Sequence, residues 1–142
     1  MILKKSQIIE NIKRDEDDRG YILSIVDNLV YNVSIIFCKK GSLRSNHYHK
    51  EDFHFMYVLD GEIDYFYKQL GSENVNYICV KKGQTIFTPK MEVHATYFTC
   101  DTRLVVSSKN PRDMDTYEKD TVRVNFITLE NLVEMKNKYV RN

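Results

Sequence analysis

The stretch Gly41-Ser-Leu-Arg-Ser-Asn-His47-Tyr-His49-Lys-Glu-Asp-Phe-His54 holds three of the four histidines in this 142-residue chain. The fourth ends a second stretch, Gly83-Gln-Thr-Ile-Phe-Thr-Pro89-Lys-Met-Glu-Val-His94. Histidine is the commonest metal ligand, and residues two apart on a strand point to the same face. His47 and His49 can therefore chelate one ion, whereas His54 has the opposite parity unless a turn or bulge intervenes at 50–52.

The joint placement of His47, His49, His54 and His94 predicts a metal site formed by all four side chains. Nitrogen-only ligation favours zinc, nickel, iron or copper over magnesium or calcium, so the expected cofactor is a divalent transition metal. Four neutral imidazoles leave the double positive charge of such an ion uncompensated, which makes the ion a strong Lewis acid.

The composition excludes several classes of function. Lys plus Arg is 21 and Asp plus Glu is 20, so the near-neutral chain offers no broad electrostatic surface for nucleic acid or an acidic membrane. No apolar run reaches the roughly 18 residues of a membrane helix, and the charged start lacks a signal-peptide core. A cytoplasmic protein of one domain, residues 1–142, is the expectation.

The apolar runs predict an all-β fold. They are rich in β-branched and aromatic residues, and glycines separate them at intervals of about ten to twenty residues. The pair Asp60-Gly61 predicts a hairpin between two strands, residues 14–19 a charged loop, and Ile2–Ile12 either a strand or a short helix. Helical spacing of apolar residues predicts a C-terminal helix at about 129–139, with Thr128 as its cap. The predicted strands are 21–26, 33–38, 53–59, 62–67, 75–80, 85–88, 94–99 and 103–107.

The two histidine stretches resemble the two motifs of the cupin superfamily. The pattern Gly-x5-His-x-His-x4-ligand-x6-Gly runs from Gly41 to Gly61, and Gly-x5-Pro-x4-His runs from Gly83 to His94. The resemblance covers about residues 41–98 and implies a double-stranded β-helix, or jelly-roll barrel, around the metal site. His54 stands where the family usually has a glutamate ligand. Met91 and Phe98 stand where the second motif usually has glycine and asparagine.

A more local resemblance is to the nucleotide-sugar cupins, the deoxysugar 3,5-epimerases and 3,4-ketoisomerases of surface-polysaccharide biosynthesis. It lies in Asp18-Arg19-Gly20 and in Gly41-x-x-Arg44-x-x-His47-x-His49-Lys50. The later stretches 96–103 and 117–123 resemble the same small cupins. These enzymes typically work without metal, so this resemblance implies that His47 and His49 act as acid and base. The two roles of the histidines, ligation and proton transfer, stay open at this point.

Further site residues follow from their chemistry. Arg44 and Lys50 flank the His-x-His pair and can bind a substrate's phosphate or carboxylate. Tyrosines that alternate along the predicted strands, namely Tyr57, Tyr65, Tyr67 and Tyr97, offer hydroxyls or stacking faces. Glu92 is the nearby carboxylate that could serve as a base.

The leading functional prediction is an isomerase or epimerase that abstracts a proton next to the carbonyl of a sugar or nucleotide sugar. One alternative is an iron- or nickel-dependent dioxygenase, because a histidine-ligated cupin metal can activate oxygen. Another is a non-catalytic cupin that binds a small molecule. A homodimer is expected, because a small open barrel leaves strand edges that need cover.

Overall fold

Two five-stranded antiparallel sheets pack face to face in the computed structural model, which describes residues 3–139. The first sheet has the order β1-β9-β6-β11-β4 and the second β12-β5-β10-β7-β8, while β2 and β3 form a separate hairpin. The strands are β1 (Gln7–Ile9), β2 (Ile12–Asp17), β3 (Gly20–Ser24), β4 (Asn32–Cys38), β5 (Leu43–His49), β6 (His54–Asp60), β7 (Glu62–Gln69), β8 (Asn76–Lys81), β9 (Thr85–Thr88), β10 (Glu92–Tyr97), β11 (Thr102–Ser108) and β12 (Thr121–Arg123). The helices are α1 (Met114–Asp120) and α2 (Leu132–Tyr139).

From β4 onward the chain crosses between the two sheets at every connection except β7–β8, which is a true hairpin. This winding is the double-stranded β-helix that the sequence predicts, so the predicted fold class is confirmed. The core between the sheets takes inward residues of both, such as Val58, Leu104 and Val106 from the first and Ile63 and Val80 from the second. Neither helix in residues 3–139 has the length and apolar character to span a bilayer.

The predicted hairpin at Asp60-Gly61 is wrong. β6 belongs to the first sheet and β7 to the second, so this turn carries the chain across the barrel. Gly61 has φ +92°, and a Cβ atom built on it would lie 2.7 Å from the carbonyl oxygen of Asp101. Only glycine fits, because the turn presses against the β10–β11 connection.

The predicted loop at 14–19 is also largely a strand. β2 pairs with β3 through Asp15, Glu16 and Asp17, which lie opposite Ile22, Tyr21 and Gly20. Every residue of β2 is exposed, so its charged side chains remain in water while the backbone is paired. The undecided N-terminal segment forms the short β1 and the start of β2, while residues 1–2 lie outside the described part of the chain.

The C-terminal segment covers the outer face of the second sheet. Phe126, Ile127 and Leu132 pack with Phe66 of β7 and Val93 of β10 in a second buried cluster. The predicted cap, Thr128, lies in the turn before α2: its hydroxyl accepts the Asn131 N–H at 3.1 Å, and the Asn131 side chain accepts the Thr128 N–H at 2.8 Å. The helix itself begins at Leu132, three residues after the predicted start, because 129–131 form a turn.

Candidate functional site

Strand pairing brings distant histidines together. His47 of β5 lies directly opposite His94 of β10, and their ring centroids are 4.8 Å apart. His49, two residues further along β5, has its ring centroid 4.6 Å from that of His47, which confirms the predicted shared face. One ring nitrogen from each of these three histidines lies within 4.8 Å of the others. We call His47, His49 and His94 the histidine triad.

His54 reaches the triad from the other sheet. Residues 50–53 connect β5 to β6 and include the turn predicted at 50–52. The Asp120 carboxylate stabilises this connection, because it accepts the backbone N–H groups of Glu51 at 2.8 Å and Asp52 at 3.0 Å. The His54 ring lies 4.7 Å from the His49 ring. However, the group of mutually close ligand atoms does not include His54. The structure thus brings three of the four predicted ligands together and places the fourth beside them.

A bulge in β5 sets the direction of His47. Ser45 and Asn46 both have positive φ, 70° and 57°, and the pairing of β5 with β10 shifts register at this point. The Asn46 side chain donates to the Ile127 carbonyl and accepts the Ile127 N–H, each at 2.9 Å. Asparagine tolerates this left-handed conformation better than most residues, and here its amide also ties the bulge to the C-terminal segment.

Met91 takes the same unusual conformation where the second cupin motif usually has glycine. Its φ is +61°, and its N–H donates to the carbonyl of His49 at 2.7 Å. The hydrogen bond fixes the end of β5 next to the triad. The strain of a left-handed methionine is the energetic cost of this contact.

Three histidines have their outer ring nitrogen next to an acceptor. His94 Nδ1 lies 3.2 Å from the Glu92 carbonyl, and His54 Nε2 lies 2.9 Å from the Asp52 carboxylate. His49 Nδ1 lies 3.4 Å from the Thr121 hydroxyl and 3.6 Å from an Asp120 oxygen. These acceptors assign the N–H to the outer nitrogen, which leaves the other nitrogen with a free lone pair.

The inner nitrogen of His49 is the clearest sign of a ligand. His49 Nε2 is buried, and no hydrogen-bond partner reaches it within residues 3–139. A buried polar nitrogen without a partner costs free energy unless something else satisfies it. A transition metal held by the triad would satisfy it, so the residues present fit the cofactor that the sequence predicts.

Burial keeps the triad neutral. Removal from water, together with the neighbouring imidazoles, lowers the pKa of His47 to about 2 and that of His49 to about 3. Burial likewise lowers the pKa of His94 to about 4. Neutral imidazole is the form that ligates metals, because its lone pair is free at neutral pH.

A cavity of about 390 Å³ opens between the sheets beside the histidines. Its wall is mixed, with apolar Ile36 and Cys38 of β4 on one side and His47, His54 and His94 among its polar residues. Arg44, Arg112 and Arg123 also line it, and the Arg112 guanidinium lies 5.4 Å from the ring centre of Tyr117. Buried imidazoles therefore share one cavity with three arginines that are less buried.

The other predicted site residues fall outside this cavity, except Arg44. Lys50 lies at the turn after β5, and Tyr57 and Tyr97 point away from the cavity because their strand parity is opposite to that of His54 and His94. Tyr65 stacks parallel to His94 at 6.1 Å, and its hydroxyl is 2.8 Å from that of Ser6. Tyr67 is buried beside Tyr65.

Glu92 has a structural role. Its buried carboxylate accepts the backbone N–H and the hydroxyl of Ser6, and Gln69 Nε2 donates to it at 2.8 Å. Burial raises the pKa of Glu92. Because Ser6 and Gln69 occupy the carboxylate, the structure does not bring Glu92 to the cavity as a base.

Sequence reasoning missed two groups around the histidines. Arg112 and Tyr117 enter the cavity from the β11–α1 connection and α1, a helix too short to show periodicity. The carboxylates of Asp52 and Asp120 lie next to ring nitrogens of His54 and His49, respectively. The stretch 117–123, quoted for its resemblance to small cupins, was the available signal for Tyr117 and Arg123.

No protein-family model matches the sequence, and no curated protein matches it. Solved structures do match. The sugar 3,4-ketoisomerase QdtA of Thermoanaerobacterium thermosaccharolyticum, solved with TDP, is 16% identical over 96% of this chain and 98% of its own, with a TM-score of 0.68. The dTDP-6-deoxy-D-glucose-3,5-epimerase RmlC of Legionella pneumophila, solved with dTDP-4-keto-L-rhamnose, is 15% identical over 89% of this chain and 77% of its own, with a TM-score of 0.66.

A third match is CapF, solved with the inhibitor 3-isopropenyl-tropolone. It is 17% identical over 82% of this chain but only 34% of CapF, with a TM-score of 0.61. At these identities the likeness establishes the cupin fold that the two histidine stretches predict.

Proposed function

We propose that this protein is a metal-assisted isomerase or epimerase of a sugar or nucleotide sugar, which moves a proton next to a carbonyl group. The observation that carries the proposal is the histidine triad. Nε2 of His49 has no partner among residues 3–139, and His47 and His94 line a cavity that also holds arginines. The fold neighbours QdtA and RmlC, a sugar ketoisomerase and a sugar epimerase, support the reaction class.

His47, His49 and His94 would hold the metal. When bound there, a divalent transition metal supplies Lewis acidity that polarises a carbonyl oxygen and stabilises negative charge on it. The set of nitrogen donors favours zinc, nickel, iron or copper. The tropolone bound by CapF carries adjacent carbonyl and hydroxyl oxygens, an arrangement that suits bidentate metal binding.

His54 is placed to take the proton. Its Nε2 is held by Asp52 at 2.9 Å, so Nδ1 keeps a free lone pair, and the ring lines the cavity. Burial alone would raise the pKa of Asp52, but the hydrogen bond from His54 and that of the Asn110 N–H hold it below its ordinary value. The Asp52 carboxylate is therefore ionised and stabilises the imidazolium that forms.

In the proposed reaction, His54 moves a proton between carbon atoms of the substrate. His54 Nδ1 takes the proton from the carbon next to the carbonyl, and the C–H electron pair forms the enediol double bond. The carbonyl π pair moves to its oxygen at the same time. His54 then returns the proton to the former carbonyl carbon while the hydroxyl proton passes to the former carbonyl oxygen, which gives the ketoisomer. The epimer instead takes a proton from water on the opposite face, and the hydroxide left behind takes the proton held by His54. Burial raises the pKa of Tyr117, so its hydroxyl stays protonated and can donate to the oxygen that gains charge.

The arginines are suited to phosphate. Arg123 is already paired with Glu118 through two bonds of 2.9 Å, whereas Arg112 stacks on Tyr117 and Arg44 contacts the Phe37 carbonyl at 3.5 Å. Arg44 and Arg112 thus offer guanidinium groups to a diphosphate, and QdtA and RmlC are both solved with nucleotide ligands.

The test combines metal analysis with solvent exchange. Protein purified without a histidine tag should contain about one transition-metal ion per chain, identified by elemental analysis. Incubated in D₂O with a dTDP-4-keto sugar, it should incorporate deuterium next to the carbonyl. His54→Gln should abolish incorporation and retain the metal, and Tyr57→Phe, outside the cavity, is the matched control.

Other outcomes contradict the proposal in distinct ways. Full exchange by metal-free protein would favour the proton shuttle through His47 and His49 that the nucleotide-sugar resemblance implies. Loss of metal in His54→Gln would make His54 the fourth ligand, as the cupin motif predicts. Oxygen consumption with iron-loaded protein, without exchange, would favour the dioxygenase.

A further inference from the structure

We propose that Asp120 is a positioning residue that couples metal binding at the histidine triad to anion binding at Arg112. The inference rests on the proposed function, because both ligands belong to the same cavity. The connection between them is the stretch 109–120, which we call the cavity segment and which brings Arg112 and Tyr117 to the cavity. Each ligand should therefore bind more tightly when the other is present.

The cavity segment is anchored at its two ends. None of residues 109–119 is buried, whereas Ser108 and Asp120 on either side of them are. At the first end the Asn110 N–H donates to Asp52 Oδ1 at 3.0 Å. A segment with so little buried surface keeps its position through such anchors, so its place in the cavity depends on these two ends.

The Asp120 carboxylate forms the second anchor. Its two oxygens accept the backbone N–H groups of Glu51 and Asp52, and its backbone carbonyl accepts the Lys50 N–H at 2.9 Å. The same carboxylate lies 3.6 Å from Nδ1 of His49. One side chain therefore contacts the turn after β5 and the outer nitrogen of a triad histidine, and it also ends the cavity segment.

Thr121, the next residue, adds a second connection between α1 and the triad. It lies opposite His49 in the pairing of β12 with β5. Its hydroxyl donates to the Tyr117 carbonyl at 2.6 Å, and the hydroxyl oxygen lies 3.4 Å from His49 Nδ1. The position of the His49 ring and the position of Tyr117 in the cavity are therefore fixed by shared contacts.

The charge of Asp120 gives the coupling its sign. A histidine that ligates a cation carries more positive charge on its outer N–H, so a carboxylate beside that N–H stabilises the ligated form. The same attraction holds Asp120, and with it the cavity segment, in place. An anion at Arg112 then binds without the entropic cost of ordering that segment, which makes the two binding events cooperative.

Arg112 is the arginine best placed to respond. Its guanidinium stacks on Tyr117 within the cavity segment, and it has no carboxylate partner among residues 3–139. Arg123, by contrast, is paired with Glu118. An anion at Arg112 therefore contacts the cavity segment itself.

The test is a titration of metal-free protein with Zn²⁺, with and without saturating dTDP, in a chelator buffer that fixes the free Zn²⁺. In the wild-type protein dTDP should raise the Zn²⁺ affinity about 10-fold, and Zn²⁺ should raise the dTDP affinity by the same factor. Asp120→Asn removes the charge and keeps the shape, and it should reduce the factor below ~2. A general loosening of the fold weakens binding with and without dTDP alike, so it leaves this factor unchanged.

Asp113→Asn is the matched control, because it makes the same change at the exposed N-cap of α1, where asparagine caps as well as aspartate. It should keep the wild-type coupling. Arg112→Gln, on the exposed segment, should weaken dTDP binding and abolish the coupling, and it serves if Asp120→Asn does not fold in circular dichroism. Zn²⁺ alone should slow amide hydrogen exchange in the cavity segment of the wild type but not of Asp120→Asn.

Coupling that survives Asp120→Asn would overturn the inference, because it would come from direct contact between the diphosphate and the metal ion. Coupling that Asp113→Asn abolishes would overturn it too, since the integrity of α1 would then be the cause. A wild-type protein that binds Zn²⁺ and dTDP independently would overturn the inference and leave the proposed function intact. A protein that binds no metal ion would overturn both.

Discussion

The outer face of the second sheet is covered by the chain's own C-terminal segment, whereas the outer face of the first sheet is bare along β4. The covered sheet carries all three residues of the histidine triad on β5 and β10. The bare sheet carries His54 and one wall of the cavity. The closely spaced nitrogens thus lie where the backbone is packed on both faces, and such packing fixes the positions of the side chains.

The largest loss of stability should come from weakening the C-terminal segment that covers the second sheet. Phe126→Ala should destabilise the protein by about 3–5 kcal/mol, because it opens a cavity in the buried cluster under α2. Ile35→Ala on the bare face should cost less than about 1 kcal/mol at high dilution. Urea unfolding measures both losses.

Equal losses of free energy of unfolding in the two variants at high dilution would contradict the difference in packing between the two outer faces. They would mean that β4 is as well packed within one chain as the second sheet is.

The second prediction compares histidines of the two sheets. His47→Ala should lower metal affinity at least ~100-fold, since it removes one of the three proposed ligands on the covered sheet. His54→Ala should lower it by no more than ~10-fold, since His54 lies outside the close group of ligand atoms. Titration of metal-free protein by calorimetry gives both constants, and equal losses would assign His54 to the ligand set.

Acid should destabilise the metal-free protein. Folded pKa values of about 2 for His47, about 3 for His49 and about 4 for His94 lie below the unfolded value of 6.5. Below pH 6.5 the unfolded chain therefore binds more protons, so the stability present above that pH is lost as the pH falls. Metal-free protein should lose about 3 kcal/mol between pH 6.5 and pH 5.5, about 1 kcal/mol for each histidine.

Urea midpoints at the two pH values measure this loss. His47→Gln removes one of the three buried imidazoles, so it should shrink the loss by about a third. A midpoint that rises on acidification would contradict the assignment of neutral histidines.

The fourth prediction tests whether the C-terminal segment, through Asn46, holds His47 in place. Asn46→Gly keeps the left-handed bulge but removes both hydrogen bonds to Ile127. Metal affinity should fall by about 10-fold, because His47 loses its fixed direction. Asn46→Asp keeps one acceptor and should recover part of the loss. A fall in thermal stability with unchanged metal affinity would reduce Asn46 to a structural role.

The smallest expected effect is a gain. Met91→Gly should stabilise the protein by about 1 kcal/mol, because glycine adopts φ +61° without strain. Met91 is exposed, so little packing is lost. The matched control Lys90→Gly, one residue earlier, should destabilise or be neutral in the same thermal melt.

The sequence was sufficient for the fold class and for much of the site. The spacing of His47, His49 and His94 predicted their convergence, and the Met91 position of the glycine motif proved to be left-handed. Strand parity would also have excluded Tyr57 and Tyr97, since both lie an odd number of residues from a cavity histidine. The parity of His54 required the turn predicted at 50–52, and the structure has an irregular connection there between β5 and β6.

Other features depended on partners far along the chain. Glu92 shares a face with His94, but Ser6, 86 residues away, occupies its carboxylate. Tyr117 reaches the cavity through α1, whose seven mostly polar residues show no periodicity. The turn at Gly61 reads as a hairpin locally, and only its contact with Asp101 and Thr102 carries the chain to the other sheet.

Because the chain crosses between the sheets at almost every turn, the histidine triad forms slowly during folding. His47 meets His94 only after β5 has paired with a strand more than forty residues away, and the intervening strands belong to both sheets. Contacts of such sequence separation must overcome loop-closure entropy first, and proteins dominated by them fold in milliseconds to seconds rather than microseconds. The histidine triad is therefore assembled late, and a newly made chain spends its first moments with its histidines apart.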